Sequence, residues 1–393
     1  MTKACNAKSV MLPHSRAKVE FYQKYLELYL IILSAAGFAR EINIYDVFCG
    51  RGIYDDGGVG SAIRAYKTIL KVRNEHPSDT RIILHLNDKK ETFIKIIKEY
   101  IDTHYGNVPA PCQVVYTHRD AIDLLKEINA NSLMSLPRQG VVNFFFIDPY
   151  GYKGITRDVL YNIMSRGSSE ILLFLPVSFM HRFTHYAFNK KANQGAHALR
   201  KMIDSFFPPN HPIRSDEPMN IDDYIDNLTE AFGNQCLCYT ASYSIERGKG
   251  NKFALFFFSH NAKGFENILN IKRKLVDAYG FGYHLAEGEQ DLFRDHFKEV
   301  QIEKQKNECR TWLTNWLAGY ARTNSAIYMD SLRRGYLPQQ VNEVLRELQD
   351  NGQLFIFDLK ENKELKKKNK FNIKYSERRS PSLLIQALCE PQK

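Results

Sequence analysis

Paired cysteines are the first feature that this 393-residue sequence lacks. Its seven cysteines are odd in number and widely scattered, and none forms a Cys-x-x-Cys pair, which argues against a disulfide framework or a zinc knuckle. Cys236 and Cys238 would share one face of a strand, where packing in the core is the simpler role. Carboxylates clustered at metal-site spacing are also missing, which disfavours a nuclease. We therefore expect no metal site.

Long apolar runs are missing as well. The longest ones are too short to span a bilayer, and the amino terminus does not resemble a signal peptide. We therefore expect a cytoplasmic protein without a membrane partner.

Acidic residues are fewer than basic residues in this sequence. Lys and Arg number 54 against 44 Asp and Glu, for a formal net charge of +10. A basic chain favours polyanionic partners such as nucleic acid, because each neutralised phosphate releases a counterion. A generic basic soluble protein would have the same balance. With 44% hydrophobic residues the chain can bury a large core, and its length predicts one main domain and a small one.

Strand-like and helix-like segments alternate after a predicted amino-terminal helical segment, residues 1–40. The predicted strands of this alternation are residues 43–48, 81–86, 113–117, 141–147 and 170–175. Such units imply right-handed crossovers, a parallel sheet and an α/β fold. Residues 236–245 and 252–260 flank a turn rich in positive-φ formers and predict an antiparallel hairpin at the end of the sheet. This domain is predicted to span residues 41–297, with a helical insertion at 181–234.

Residues 300–376 predict a second, smaller domain. Three helices precede two short strands, 353–359 and 371–375, that flank a charged loop, which is the outline of a winged helix. Residues 377–393 are expected to be a tail. Candidate nucleic-acid contacts lie on the third helix and on the wing: Gln339, Gln340, Asn342, Arg346, Lys363, Lys366, Lys367, Lys368 and Lys370. A solvated charge run on a packing or dimerisation module is the alternative.

The end of the first strand delivers an acid and two glycines into a turn. Such a turn, formed here by Asp46, Phe48, Gly50 and Gly52, lets the backbone pass close to an adenosyl ligand. These residues are predicted to bind the cofactor S-adenosylmethionine, with the Asp46 carboxylate meeting its ammonium group. A tight turn without a ligand is the alternative.

Further cofactor contacts are predicted at the next two strand ends. After the second strand an acid would accept both ribose hydroxyls. Asp88 is the better acceptor, but Asn87 stands where the strand would place it, and the register stays open. After the third strand, Asp120 would accept a hydrogen bond from the adenine amine or cap the following helix.

The predicted catalytic residues lie where an apolar run, residues 144–147, stops at Asp148, Pro149 and Tyr150. When an exocyclic amine attacks a methyl group, its nitrogen loses conjugation with the ring, and acceptors aimed at its N–H groups favour this change. The Asp148 carboxylate and the Pro149 carbonyl would be these acceptors. Tyr150 would stack on a base that is single-stranded or flipped out. A simple chain turn is the alternative.

Together these motifs resemble those of the three-Cys-motif partner proteins. The family pattern has a His-x-x-x-Lys helix, an Asp-x-Phe-x-Gly-x-Gly loop, a Gly-Ser pair and an Asp-Pro-aromatic-Gly strand end. In this sequence they are residues 14–18, 46–52, 60–61 and 148–151. The resemblance, over residues 10–300, implies a class I methyltransferase-like Rossmann fold. It also implies a bacterial setting and a radical-enzyme-like partner that carries the three cysteines.

The chain departs from the related patterns at two positions. Asn87 stands where the family usually has a glutamate, and one proline precedes Tyr150 where aminomethyltransferases usually have two.

Two functions from different classes follow. The first is an S-adenosylmethionine-dependent methyltransferase that acts on nucleic acid, favouring a base amine, with the winged-helix-like module holding the polyanion. The second is a catalytically silent binding protein of the same fold that recruits nucleic acid to its partner. A third hypothesis is that the pocket binds another adenosyl or nucleotide ligand.

Overall fold

The chain forms two compact units in the computed structural model. The first comprises Met1–His260 with Gly282–Glu287, and the second comprises Asn261–Phe281 with Gly288–Lys393. The division thus lies before residue 262, whereas the sequence predicts it near residue 300. The structure describes residues 10–37, 39–133, 139–165, 167–188, 194–215, 219–247, 251–279, 282–284, 294–366 and 370–388.

A mostly parallel sheet is the centre of the first unit, which confirms the predicted α/β class. Its order is β3-β2-β1-β4-β5-β7-β6-β8, and β7 runs antiparallel to both of its neighbours. The strands are β1 Glu41–Asp46, β2 Arg81–Asn87, β3 Gln113–Thr117, β4 Val141–Ile147, β5 Ser169–Leu175, β6 Tyr239–Arg247, β7 Asn251–Ser259 and β8 Gly282–His284. The hairpin of β6 and β7 ends the alternation as expected, and β8 adds an edge strand parallel to β6 that the sequence analysis does not predict.

Helices cover the sheet of this unit. They are α1 Pro13–Ala36, α2 Ser61–Glu75, α3 Glu91–His104, α4 Ala121–Leu133, α5 Arg157–Met164, α6 Val177–Phe188, α7 Gln194–Phe206 and α8 Ile221–Cys236. The last three lie in the region predicted as an insertion, but their apolar faces belong to the main core. Leu199, Phe206 and Phe232 are buried together with Phe256 of β7. The connection from β5 to β6 is therefore part of the core, since its helices cover one face of the sheet.

Helix α1 packs on the sheet through tyrosines. The Tyr22 ring stacks on Phe146 of β4 at 4.3 Å between centroids, and Tyr25 meets Phe257 of β7 edge-on at 4.8 Å. The Tyr25 hydroxyl donates a hydrogen bond to the buried carboxylate of Glu170 at the start of β5. Glu170 also accepts a bond of 2.7 Å from the Ser259 hydroxyl. These contacts fasten α1 to three strands.

The second unit combines four helices with a small antiparallel sheet. Its elements are α9 Ala262–Tyr279, α10 Arg294–Gly319, β9 Arg322–Thr323, α11 Asn324–Arg333, α12 Pro338–Asp350, β10 Leu354–Asp358, β11 Lys363–Glu364 and β12 Leu383–Ala387. The sheet order is β11-β10-β12-β9. Among the described helices of both units, none is long and apolar enough to cross a membrane.

The strand that pairs with β10 is not the one that the sequence predicts. Residues 371–375 form no strand, and Asn372 has a positive φ of 55°, which breaks extended backbone. β12 pairs with β10 instead, and it lies within residues 377–393, which were expected to be a tail. The buried side chain of Asn324 holds this segment, because its Oδ1 accepts the backbone N–H groups of Ser382 and Leu383.

We predict that Glu170 makes stability depend on pH. Burial raises the pKa of Glu170 to about 7, against the opposing hydrogen bonds from Tyr25 and Ser259. The folded chain thus keeps this proton up to about pH 7, whereas the unfolded chain releases it near the ordinary value of 4.5. Stability should therefore fall as pH rises between these values, by roughly 3 kcal/mol.

Urea unfolding of the wild type and Glu170→Gln across this pH range measures the effect. The variant should lose a large part of the slope and retain the part that comes from other buried acids. Glu99→Gln, which changes an exposed glutamate on α3, is the control and should keep the full slope. An unchanged slope in Glu170→Gln would contradict the prediction.

Candidate functional site

The carboxyl ends of β1, β2, β3 and β4 meet at one edge of the sheet, because these neighbouring strands are parallel. Backbone hydrogen bonds continue the pairing beyond the strands. The Cys49 N–H donates to the Asn87 carbonyl at 3.0 Å, and the Val47 N–H donates to the Phe146 carbonyl at 3.4 Å. The edge therefore brings together the segments that carry the predicted site residues.

Asp46 ends β1 and is fully buried. Among the described residues, neither of its carboxylate oxygens has a hydrogen-bond partner, which is rare for a buried acid. Burial raises the pKa of Asp46 to about 7; the nearby Ser61 hydroxyl and Lys18 oppose this shift, and the carboxylates of Asp148 and Asp88 add to it. A cationic ligand at this position would supply the missing partner.

The turn after β1 depends on its glycines. Gly50 and Gly52 have φ angles of 63° and 71°, in the left-handed region that favours glycine. A Cβ on Gly52 would lie 2.5 Å from Cγ1 of Ile97, so side-chain packing as well as backbone conformation requires glycine there. The Gly60 N–H closes the loop by donating to the Gly52 carbonyl at 2.7 Å.

Asn87 and Asp88 have different roles in the structure. Asn87 Nδ2 donates to the carbonyls of Val47 and Arg119, and its Oδ1 accepts from the Thr117 hydroxyl and the Arg119 N–H. Its amide therefore has no hydrogen-bonding capacity left for a ribose. Asp88 holds the glycine turn through the Gly50 N–H at 3.1 Å, and it lines the cavity described below. The open register thus favours Asp88 as the ribose acceptor.

Asp120 caps helix α4. Its Oδ1 accepts the N–H groups of Ile122 at 3.0 Å and Asp123 at 3.4 Å, and Lys89 Nζ lies 3.3 Å from its Oδ2. Desolvation raises the pKa of Asp120, but these hydrogen bonds outweigh it and the pKa is lowered. The cap does not preclude a ligand contact, since Asp120 also lines the cavity.

Asp148, at the end of β4, forms an ion pair that the sequence analysis missed. Lys18 of α1 is 8% exposed, and its Nζ donates to Asp148 Oδ2. The same ammonium group lies 4.4 Å from the ring centroid of Phe174. The His-x-x-x-Lys pattern marks Lys18 in the sequence, but it does not identify the partner of Lys18, because Asp148 lies 130 residues further along the chain.

The two residues after Asp148 differ in exposure. Pro149 is buried, and its carbonyl already accepts the Gly151 N–H at 2.7 Å. Tyr150 is 86% exposed, so its ring is free to meet a planar group from solvent.

A cavity of about 690 Å³ lies against this edge. Five of the predicted site residues line it: Phe48, Asp88, Asp120, Pro149 and Tyr150. Apolar side chains such as Ile122, Ile155 and Met202 complete its wall, and the ammonium groups of Lys153 and Lys201 lie at it. Asp46 and the two turn glycines are not among its lining residues. In the described part of the chain, no group of three or more His, Cys, Asp or Glu side chains is placed to hold a metal ion.

The edge has the groups that an adenosyl amino-acid ligand requires. The unpartnered Asp46 carboxylate suits an ammonium group, Asp88 suits a ribose, and the partly apolar cavity beside Asp120 suits a planar base. Asp148 and Tyr150 lie at the same edge, where a second molecule would meet the ligand.

The candidate nucleic-acid residues of the second unit are brought together only in part. Gln339, Asn342 and Arg346 of α12 line one groove with Lys370 and with Lys374, which the sequence analysis did not select. Gln340 has a structural role instead, because its Oε1 accepts the Leu337 N–H at 2.8 Å and so caps the start of α12. Lys363 and Lys366 are exposed but do not line the groove. Lys367 and Lys368 lie outside the described residues.

Comparisons with known proteins give distant similarity. No protein-family model and no curated protein matches the sequence. Among solved structures, a DUF574 family protein from Streptomyces avermitilis is similar at 9% identity, over 65% of this chain and 88% of that one, with a TM-score of 0.31. A human methyltransferase 10 domain containing protein is 11% identical over 60% of this chain and 82% of that one, with a TM-score of 0.26. A SAM-dependent methyltransferase from Methanosarcina mazei is 12% identical over 56% of this chain and 92% of that one, with a TM-score of 0.27. Scores this low carry no weight for function, which has to be inferred from the strand order and the edge residues.

We predict that Lys18 and Asp148 stabilise the fold as a coupled pair. Removing either partner leaves the other charge largely desolvated, so Lys18→Met and Asp148→Asn should together cost less than the sum of the single changes. The expected coupling is roughly 1 to 3 kcal/mol in a double-mutant cycle measured by urea unfolding.

The ion pair between Lys71 of α2 and Glu27 of α1 is a matched control, because it also involves α1 but is more exposed. Its coupling should stay below about 1 kcal/mol. Equal coupling in the two pairs would show that burial does not strengthen the Lys18–Asp148 contact.

Proposed function

We propose that the chain is an S-adenosylmethionine-dependent methyltransferase that modifies an exocyclic base amine of nucleic acid. The observation that carries the proposal is Asp46, a buried carboxylate without a hydrogen-bond partner at the end of β1. Support for the fold comes from the strand order, in which a parallel sheet ends in an antiparallel hairpin. This arrangement is typical of class I methyltransferases and differs from an all-parallel dinucleotide-binding sheet.

Each proposed cofactor contact uses a group at the sheet edge. Asp46 would pair with the ammonium group, and the glycine turn at Gly50 and Gly52 would let the backbone approach the amino-acid portion. Asp88 would accept the ribose hydroxyls, and the wall beside Asp120 would hold the adenine. S-adenosylmethionine, when bound, supplies an electrophilic methyl group on a sulfonium.

Asp148 is the proposed acceptor at the reaction end. A base amine that received this methyl group would have to give up one N–H proton, which would pass to solvent. Asp148 would accept a hydrogen bond from an N–H of that amine, while its ion pair with Lys18 holds the carboxylate in place. Tyr150, exposed beside it, would stack on the base.

The second unit supports nucleic acid as the substrate class. Its order of helix, short strand, two helices and strands joined by a wing is typical of a winged helix. The groove between α12 and residues 370–374 is lined by Arg346, Lys370 and Lys374, with Gln339 and Asn342 as polar neighbours; these three cations outnumber the one acid of the lining, Glu343. Cationic and amide side chains in one groove suit phosphates and base edges.

One observation favours a second candidate, a catalytically silent binding protein. The Pro149 carbonyl is already engaged by Gly151, and Lys18 already engages Asp148, so the proposed amine acceptors have other partners. In this case the chain would recruit nucleic acid to a partner protein. The family resemblance implies that this partner is a radical-enzyme-like protein.

Calorimetric titration with S-adenosylmethionine and S-adenosylhomocysteine tests the cofactor site. Asp46 must ionise to meet the ammonium group, so wild-type affinity should rise as pH increases through about 7. Asp46→Asn should weaken binding at least about tenfold and remove this rise. Asp55→Asn, which changes an exposed acid of the same loop, is the control and should bind like the wild type.

Labelled methyl transfer to single-stranded nucleic acids then separates the two candidates. Asp148→Ala should lose transfer but keep cofactor binding if the chain is an enzyme. Cofactor binding without transfer in the wild type, or no heat at protein concentrations near 100 µM, would favour the silent protein.

We also predict that the α12 groove, rather than the turn at β11, contacts phosphates. Arg346→Gln and Lys370→Gln should each weaken nucleic-acid binding and reduce the salt slope by about one. Lys363→Gln is the matched control, since Lys363 pairs with Glu361 and lies outside the groove. Equal losses in all three variants, measured by fluorescence anisotropy at several salt concentrations, would contradict a specific role for the groove.

A further inference from the structure

The second unit carries an aromatic surface that none of the roles above uses. Both tryptophans of the chain, Trp312 and Trp316, lie one turn apart on α10 and are half-buried. They line one open groove with Tyr336, which follows α11. We name this surface the tryptophan groove.

The rings of the tryptophan groove are nearly parallel. Trp312 and Trp316 stack with centroids 5.7 Å apart and planes at 25°, and Trp312 and Tyr336 stack at 5.6 Å and 17°. The three residues are half-buried, so the parts of their rings that reach solvent are available to stack on a planar ligand.

Cations flank these rings. The Arg334 guanidinium lies 5.1 Å from the Trp312 ring centroid, and the Arg322 guanidinium lies 4.9 Å from that of Trp316. Arg334 pairs with Asp330, whereas no ion pair of Arg322 is found among the described residues. The Nε atom of Arg322 and the indole N–H of Trp312 are both buried without a hydrogen-bond partner in that part of the chain. The groove thus combines aromatic rings with one lining arginine, Arg334, while Arg322 packs over the Trp316 ring beside it.

We propose that the tryptophan groove binds single-stranded nucleic acid by stacking bases on its aromatic rings. This inference rests on the nucleic-acid part of the proposed function and adds a second contact surface to it. Stacking on aromatic side chains tolerates any base, and arginine adds both planar stacking and charge. In a duplex the base faces are already stacked on one another, so the groove selects single strands.

Charge favours this ligand over a proline-rich peptide, which aromatic grooves also bind. Such a peptide is uncharged along its backbone and would leave Arg322, for which no ion pair is found among the described residues, without a counter-charge; Arg334 already has one in Asp330. A polynucleotide would bring a phosphate to Arg322, in agreement with the net charge of +10.

Intrinsic fluorescence tests the inference directly, because both tryptophans of the 393-residue chain lie in this groove and supply all of its tryptophan emission. An oligothymidylate of about 15 nucleotides, within the usual range of single-strand site sizes, should quench this emission saturably. The duplex of the same length should quench it little. Quenching by a proline-rich decapeptide but not by the oligothymidylate would overturn the proposal.

Two variants of one position separate stacking from folding. Trp316→Leu should weaken binding of the labelled oligothymidylate about 5- to 100-fold in anisotropy, and Trp316→Phe should restore most of the affinity. Both variants should keep the urea-unfolding transition. Equal affinity of Trp316→Leu, Trp316→Phe and the wild type would overturn the stacking role.

Arg346→Gln, in the α12 groove, distinguishes this inference from the proposed function. That variant should weaken binding without changing the quenching at saturation. If binding depends on Arg346 but not on Trp316, the inference fails and the nucleic-acid function stands. If the oligothymidylate does not bind the wild type at all, both nucleic-acid proposals fail. The titration with S-adenosylmethionine still tests the proposed cofactor site independently.

Discussion

The burial of Asp46 without a partner is the constraint around which the sheet edge is organised. An acid at the end of a central strand is surrounded by the core, and burial raises its pKa to about 7. Two neighbours limit this cost, because the Ser61 hydroxyl and Lys18 both lie near enough to oppose the shift. A site that keeps a costly group unpaired in the free protein can gain binding energy when a cation arrives.

Helix α1 connects this edge to the far side of the sheet. Near its start, Lys18 meets Asp148 at the end of β4, and two turns later Tyr25 meets Glu170 at the beginning of β5. Between them the Tyr22 ring stacks on Phe146. The helix is therefore both a cover for the apolar strands and a carrier of one charged group of the site, so changes in its packing should reach Asp148.

The second unit presents two surfaces with different chemistry. The α12 groove offers cationic and amide groups, which suit phosphates and base edges, whereas the tryptophan groove offers ring faces flanked by guanidinium groups. Backbone contacts position a nucleic acid, and stacking selects strands whose bases are free.

Local pattern allowed much of the fold to be predicted. The alternation of strands and helices, the closing hairpin and the glycine turn follow from residue spacing and from the need for positive φ at Gly50 and Gly52. The same reasoning misplaced the strand beside β10. The positive φ of Asn372 interrupts residues 371–375, whereas Leu383–Ala387 pairs with β10 and β9 and is held at its start by Asn324.

What the sequence determined by itself is the class of fold and the residue types at the strand ends, since these depend on neighbours a few positions away. The tertiary structure decided that Asp88 rather than Asn87 faces the cavity, because the Asn87 amide is hydrogen-bonded to the backbone of Val47 and Arg119, which follow β1 and β3. It also decided that Lys18 pairs with Asp148, 130 residues away. No local spacing encodes such a contact, because it exists only when the helix lies on the folded sheet.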